Sequence, residues 1–148
     1  MMLKALIPGL LLLFGTSLMA QPLSDPLEQL QQVNARINNL STLELQEMLE
    51  HYPQTVVIDV RTPREILTLG GMIDAPRIYN LVRGWLEFRI ADIAPDPNTR
   101  IVMYCGINQR SPLAADTLMR MGYQQVYNYE DGFFVWRDSD LPVESIDK

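Results

Sequence analysis

Three short runs constrain this chain more than any other feature: the apolar "TVVIDV" at 55–60 and "RIVMYC" at 100–105, and "QQVYNY" at 124–129. They are rich in β-branched and aromatic residues and are bounded by turn formers, so they read as buried strands. Helical patterns separate them. Strands alternating with helices imply βαβ units and a parallel sheet, hence an α/β fold. Sites in such sheets form beyond the carboxyl ends of the strands. The single cysteine, Cys105, lies at one such end.

The remaining elements follow from local signals. "SDPLEQLQQVNARINNL" predicts a helix, with Asp25 as cap, Pro26 at the first position, and Leu27, Leu30, Val33 and Ile37 at helical spacing. Asn38-Asn39 breaks it, and Ser41 with Glu44 starts a second helix that Pro53 ends. Thr62 and Pro63 open a short helix over "TPREILTL". "GGMIDAPRIYNL" is irregular, with a short strand at 77–81, and "RGWLEFRIADIA" is helical. Ser111 is expected to cap the helix "SPLAADTLMRMG", with Pro112 as its first residue, Leu113, Ala114, Thr117, Leu118 and Met121 facing inward, and Gly122 as its stop.

Residues 1–20 differ from the rest. Lys4, an apolar run "ALIPGLLLLF" and the smaller "GTSLMA" have the layout of a signal peptide cleaved after Ala20. An uncleaved anchor is the other reading, although ten apolar residues fall short of the roughly 20 that span a bilayer. The chain then divides into a leader (1–20), a helical extension (21–40) and one domain (41–148). It is expected to be exported, to a bacterial periplasm, without stable membrane insertion after cleavage. The net charge of −6 argues against a nucleic-acid partner, which needs clustered cations. One cysteine cannot staple the fold, and an unpaired thiol in an exported protein is a liability unless it is buried or used.

A curled loop between Cys105 and the next helix would aim backbone N–H groups at the sulfur. The helix start would add further donors and partial positive charge. Arg110 adds a guanidinium able to fork onto an oxyanion. A free thiol with pKa about 8.5 is only about 3% thiolate at pH 7, so such donors would matter. The one histidine, His51, is distant in sequence, so activation rests on electrostatics and not on a Cys-His pair. A cysteine at a strand end can also be a small buried hydrophobe. A core cysteine, however, needs none of Gly106, Asn108, Arg110, Ser111 or Pro112; Asn108 in particular tolerates positive φ.

The segment Cys105-Gly106-Ile107-Asn108-Gln109-Arg110-Ser111 resembles the active-site loop of rhodanese-domain sulfurtransferases, Cys-x4-Arg followed by Ser. "VVIDVRTPREI" is similar to that family's Asp-Val-Arg signature, with Glu65 downstream. "GYQQVYNYEDGFFVWRDSDLPV" is similar to its closing stretch through Gly132, Trp136, Pro142 and Val143. The likeness runs over about 41–143. Two departures are Asn108, where the family often has Gly, and "GMIDAP" in place of Gly-His-Ile-x-Gly-Ala.

The resemblance implies a three-layer sandwich, a central parallel sheet flanked by helices. It also implies a sulfur relay in which Cys105 takes sulfane sulfur from a small anionic donor such as thiosulfate, or from a persulfide, and passes it to a thiol or cyanide. Gly106, Ile107, Asn108, Gln109, Arg110 and Ser111 would bind substrate, with no metal and no cofactor. Asp59, Arg61 and Glu65 are read as structural, tying strand to helix; Trp136 as a core anchor; and Arg77, Arg83 and Arg89 as surface cations. Residues 25–40 lie outside the resemblance and either pack on the domain, dimerise or dock a protein partner. Two other functions stay open. One is a phosphatase-like enzyme using Cys105, although such loops are one residue longer, Cys-x5-Arg. The other is a non-catalytic interaction module.

Overall fold

The computed structural model describes residues 23–145, so the expected leader lies outside the described residues. Six helices and seven strands follow in chain order: α1 (Pro26–Asn34), β1 (Asn38–Leu40), α2 (Thr42–His51), β2 (Val56–Asp59), α3 (Pro63–Leu69), β3 (Met72–Ile73), β4 (Ile78–Asn80), α4 (Leu86–Ile93), β5 (Arg100–Tyr104), α5 (Arg110–Arg120), β6 (Gln125–Tyr129), α6 (Gly132–Asp138) and β7 (Val143–Glu144). A 3₁₀ turn at Arg83–Trp85 precedes α4. No described helix is long and apolar enough to cross a membrane.

Five strands form one all-parallel sheet in the order β1-β6-β5-β2-β4. The alternating pleat splits each central strand between two cores. Val56, Ile58, Ile101, Met103 and Cys105 face the layer of α1, α4 and α5, against Val33, Leu86, Ile90, Ala114 and Leu118. Val57, Val102 and Tyr104 face the other layer, against Leu45, Phe133 and Trp136. Both faces are covered, which is why β2 and β5 read as near-continuous apolar runs and do not alternate, while β6, next to the edge strand β1, keeps the polar Gln125 and Asn128. Each fully buried aliphatic side chain contributes about 1.5–3 kcal/mol. Trp136 is the expected anchor, 3% exposed and donating from Nε1 to the Pro142 carbonyl at 2.8 Å.

Three expectations are corrected. The first helix stops at Asn34, and Asn38–Leu40 becomes an edge strand beside β6. Ile37 is buried as expected, but in the core below the helix end. Asn38 Nδ2 donates to the Val126 carbonyl at 2.9 Å, so side-chain amides strengthen a strand of low intrinsic propensity. Helix α5 begins two residues early, at Arg110, with Gln109 in the capping position, and Ser111 does not cap it. Met121 lies past the helix end and is 45% exposed, whereas Gly122 has the expected left-handed stop, φ 103°. A small antiparallel ribbon, β3 with β7, went unanticipated. Its two-residue strands carry no periodicity to read.

Candidate active site around Cys105

Strand β5 delivers Cys105 to the carboxyl end of the sheet, and residues 105–109 curl before α5 starts at Arg110. The start of α6 holds this curl from outside. Phe133 N–H donates to the Cys105 carbonyl at 2.8 Å, and Phe134 N–H to that of Gly106 at 3.4 Å. Gly132 makes the approach feasible: its φ is 77°, and a Cβ there would sit 2.6 Å from the Gly106 carbonyl oxygen. With those carbonyls turned toward α6, the later amides of the loop turn inward.

Cys105 is fully buried. Burial pushes its thiol up, but the Ser111 hydroxyl and then the backbone N–H groups of Ser111, Arg110 and Gln109 all donate toward the sulfur, and the net effect lowers its pKa. The Ser111 hydroxyl donates to Sγ at 3.4 Å. Because Ser111 serves the sulfur, it is not the helix cap that its position suggests. The sulfur is therefore in an interior, but a polar one on the side that matters.

Asn108 adopts φ 56°, the geometry the tight loop requires of a residue without glycine's freedom. Its side chain is tied into an amide ladder. Asn128 Nδ2, on β6, donates to Asn108 Oδ1 at 2.9 Å and to Asn39 Oδ1 at 2.8 Å, and Asn39 Nδ2 donates to the Asn34 carbonyl at 2.9 Å. Gly106 lies against the Phe134 ring, 3.2 Å from where a Cβ would be. Ile107 is 58% exposed and Gln109 is exposed, so of these two only Gln109 joins the cradle, through its N–H.

Arg110 stands at the rim, and its guanidinium is engaged. Nη1 and Nη2 donate to the two carboxylate oxygens of Glu65 at 2.8 and 2.6 Å. The Arg110 guanidinium, with help from Thr62, holds the Glu65 carboxyl down to about 2. Glu65 also caps α3 through Thr62, with Thr62 N–H and hydroxyl both donating to Oε2 at 2.9 Å. Glu65 is thus more than the structural tie expected of it, because it orients the rim arginine. The Thr62-x-x-Glu65 capping pattern was the available signal that this carboxylate would face the functional end of the sheet. Asn39 and Asn128 were missed as well; for Asn128 the signal was a polar residue between aromatic strand neighbours, and for Asn39, on an edge strand, there was none.

Asp59 and Arg61 do tie strand to loop. Arg61 Nε donates to Asp59 Oδ1 at 2.9 Å and Nη2 to the Gly71 carbonyl at 2.7 Å, and both side chains are fully buried. The guanidinium lies 3.8 Å from the centre of the Phe133 ring. Arg83 and Arg89 make surface ion pairs with Glu87 and Asp92, and Arg77 donates to the Gln54 carbonyl at 3.1 Å. A cavity of about 410 Å³ opens at the opposite, amino ends of the strands beside Arg77 and Arg100; it shares no residue with the Cys105 loop.

A family model described as "Rhodanese-like domain" matches residues 41–139. A sulfurtransferase of Allochromatium vinosum is 31% identical over 107 residues, which cover 72% of this chain and 94% of that protein. The polysulfide-sulfur transferase homodimer of Wolinella succinogenes superposes with a TM-score of 0.71 at 31% identity, covering 79% of this chain and 85% of that one. A Rhodopseudomonas palustris protein of unknown function, described as a possible tyrosine phosphatase, superposes equally well, with a TM-score of 0.71 at 33% identity, covering 85% and 99%.

Proposed function

The chain belongs to the rhodanese-like family, and from that premise and the geometry at Cys105 we infer a sulfurtransferase that works through a cysteine persulfide. The observation that carries this reading is the convergence of three amides and one hydroxyl on a buried sulfur that has no histidine beside it. Such a cradle favours the thiolate over the thiol and stabilises an anionic persulfide equally well.

The Cys105 thiolate attacks the outer sulfur of thiosulfate or of a persulfide donor. A new S–S bond forms to Sγ as the donor's own bond breaks, and sulfite or the donor thiolate leaves with the electron pair. The terminal sulfur of the Cys105 persulfide carries the negative charge into the cradle. An acceptor thiolate or cyanide then attacks that terminal sulfur, and the Cys105 thiolate is regenerated as the leaving group. The loop amides of Gln109, Arg110 and Ser111 stay in place through both steps, so no large reorganisation is asked of them. Arg110 helps draw anions to the rim, although its charge is largely balanced by Glu65. The export read from residues 1–20 belongs to this proposal, as does the absence of nucleic-acid and membrane partners.

Mass spectrometry tests the reading. Incubation with thiosulfate should add one sulfur atom to the intact protein, and cyanide should remove it. Cys105→Ser should abolish the addition. The four-residue spacing between Cys105 and Arg110 favours sulfur over a bulkier phosphate. If the wild-type protein stays unmodified but hydrolyses an aryl phosphate, the phosphatase reading replaces this one.

A further inference from the structure

Helix α1 precedes the matched family segment, yet it borders the candidate site. Beside Gln109 and Arg110 a cavity of about 360 Å³ opens between α1 and the start of α5, with Leu27, Leu30 and Leu113 on its walls. A second cavity, about 290 Å³, continues along the same seam; the two share Gln29 and Leu113. Both have the size of small-ligand sites.

The far cavity changes character. Arg36, Arg83 and Arg120 line it, with Asp116 and Thr117. Asp116 is shared by Arg36 at 2.8 Å and Arg120 at 3.2 Å, while Arg83 spans Glu87 and the Thr117 hydroxyl. Three guanidiniums therefore face two carboxylates, leaving one positive charge in surplus on a chain whose net charge is −6. Arg36 and Arg120 stay accessible, with 53% and 72% of their side chains exposed. From Arg110 to Asp116 the rise along α5 is about 9 Å. The trough thus starts beside Gln109 and Arg110 at the end of the Cys105 loop, runs over apolar walls and ends on arginines.

We propose that this trough binds the sulfur acceptor, and that the acceptor is a small organic thiol with an apolar spacer and a carboxylate at its far end. The sulfur enters at Cys105, the spacer lies over Leu27, Leu30 and Leu113, and the carboxylate meets Arg36 and Arg120. The proposal rests on the sulfurtransferase reading for its chemistry: the acceptor thiolate attacks the terminal sulfur of the Cys105 persulfide, takes it as a perthiolate and releases the Cys105 thiolate. Binding in the trough does not need that chemistry.

Two experiments separate the ideas. In the first, the unloaded protein is titrated with nonanoate and with nonanol, followed by calorimetry. Saturable binding of nonanoate is expected, about fivefold tighter than nonanol if the arginine end contributes as a partly exposed ion pair. Arg36→Gln combined with Arg120→Gln should erase that difference, and Leu27→Asp should weaken both by about tenfold through lost apolar contact and added negative charge. No saturable binding, or binding indifferent to these substitutions, overturns the proposal whether or not Cys105 accepts sulfur. In the second, protein loaded with sulfur is discharged by 8-mercaptooctanoate, 8-mercaptooctanol or 2-mercaptoethanol at equal thiolate concentrations. The expected order is octanoate, then octanol, then mercaptoethanol, with the first preference lost in the double arginine variant. Equal rates for all three overturn the acceptor assignment. Failure to load at all overturns the sulfurtransferase reading and leaves the binding result to judge the trough.

Discussion

Ser111→Ala isolates one donor of the cradle. The Ser111 side chain is fully buried, and its hydroxyl donates to Sγ at 3.4 Å. Alanine removes that donor and leaves the three amides, because the backbone of α5 does not depend on a Ser111 cap. A hydrogen bond to a charged partner is worth about 1.5–3 kcal/mol, the low end suiting a long contact to sulfur. The thiolate-to-thiol ratio at fixed pH should therefore fall about tenfold. Cys105 is the only cysteine, so the ultraviolet absorbance of the thiolate reports on it alone. The sign extends to stability. The folded chain holds Cys105 below its ordinary thiol value, so this group's contribution is complete above that value and is lost as pH falls through the folded titration point. Ser111→Ala should shrink that contribution while leaving stability at acidic pH nearly unchanged. A ratio within twofold of wild type, in a variant that unfolds normally, would refute the claim that the hydroxyl is part of the cradle.

Glu65→Gln should cost about 1 kcal/mol at pH 7, the large carboxyl shift being discounted because Glu65 is a third exposed. That gap should be full above the ordinary 4.5 and close as pH falls toward 2, as followed by urea titration at several pH values; a constant gap would show that the ion pair is not its source. Asn108→Ala should destabilise by about 1–2 kcal/mol for positive φ plus the lost ladder bond, and Asn108→Gly by less, since glycine keeps the backbone. Thermal unfolding decides, and an equal loss in both would mean that φ is irrelevant. Asp59→Asn leaves Arg61 buried without its carboxylate and should cost about 3–5 kcal/mol in urea unfolding; a loss under 1 kcal/mol contradicts the buried pair.

Strands β2 and β5 and the position of Cys105 could be read from sequence because a strand buried on both faces writes itself as a near-continuous apolar run. The loop could be read because Gly106, Asn108 and Arg110 have little purpose in a core. What escaped depended on distance. Arg110 meets Glu65 across 45 residues, and nothing local announces the pair. Asn38–Leu40 has poor strand propensity and becomes a strand only because β6 offers a parallel edge and amide side chains can bridge to it. Ser111 had two uses open to it, and its local pattern favoured the cap; only the three-dimensional curl brought its hydroxyl to the sulfur.

The amide ladder has a practical bearing on how the protein is handled. A fragment cut at residue 41, where the recognisable family segment begins, would lose both α1 and β1. It would turn β6 into an open edge, inviting association between copies. It would also strip the Asn39 prop from Asn128, and so loosen the scaffolding beneath Asn108. Expression trials that trim the chain to the matched segment should therefore yield a stickier product with a slacker loop, even though every residue of the Cys105 motif is retained.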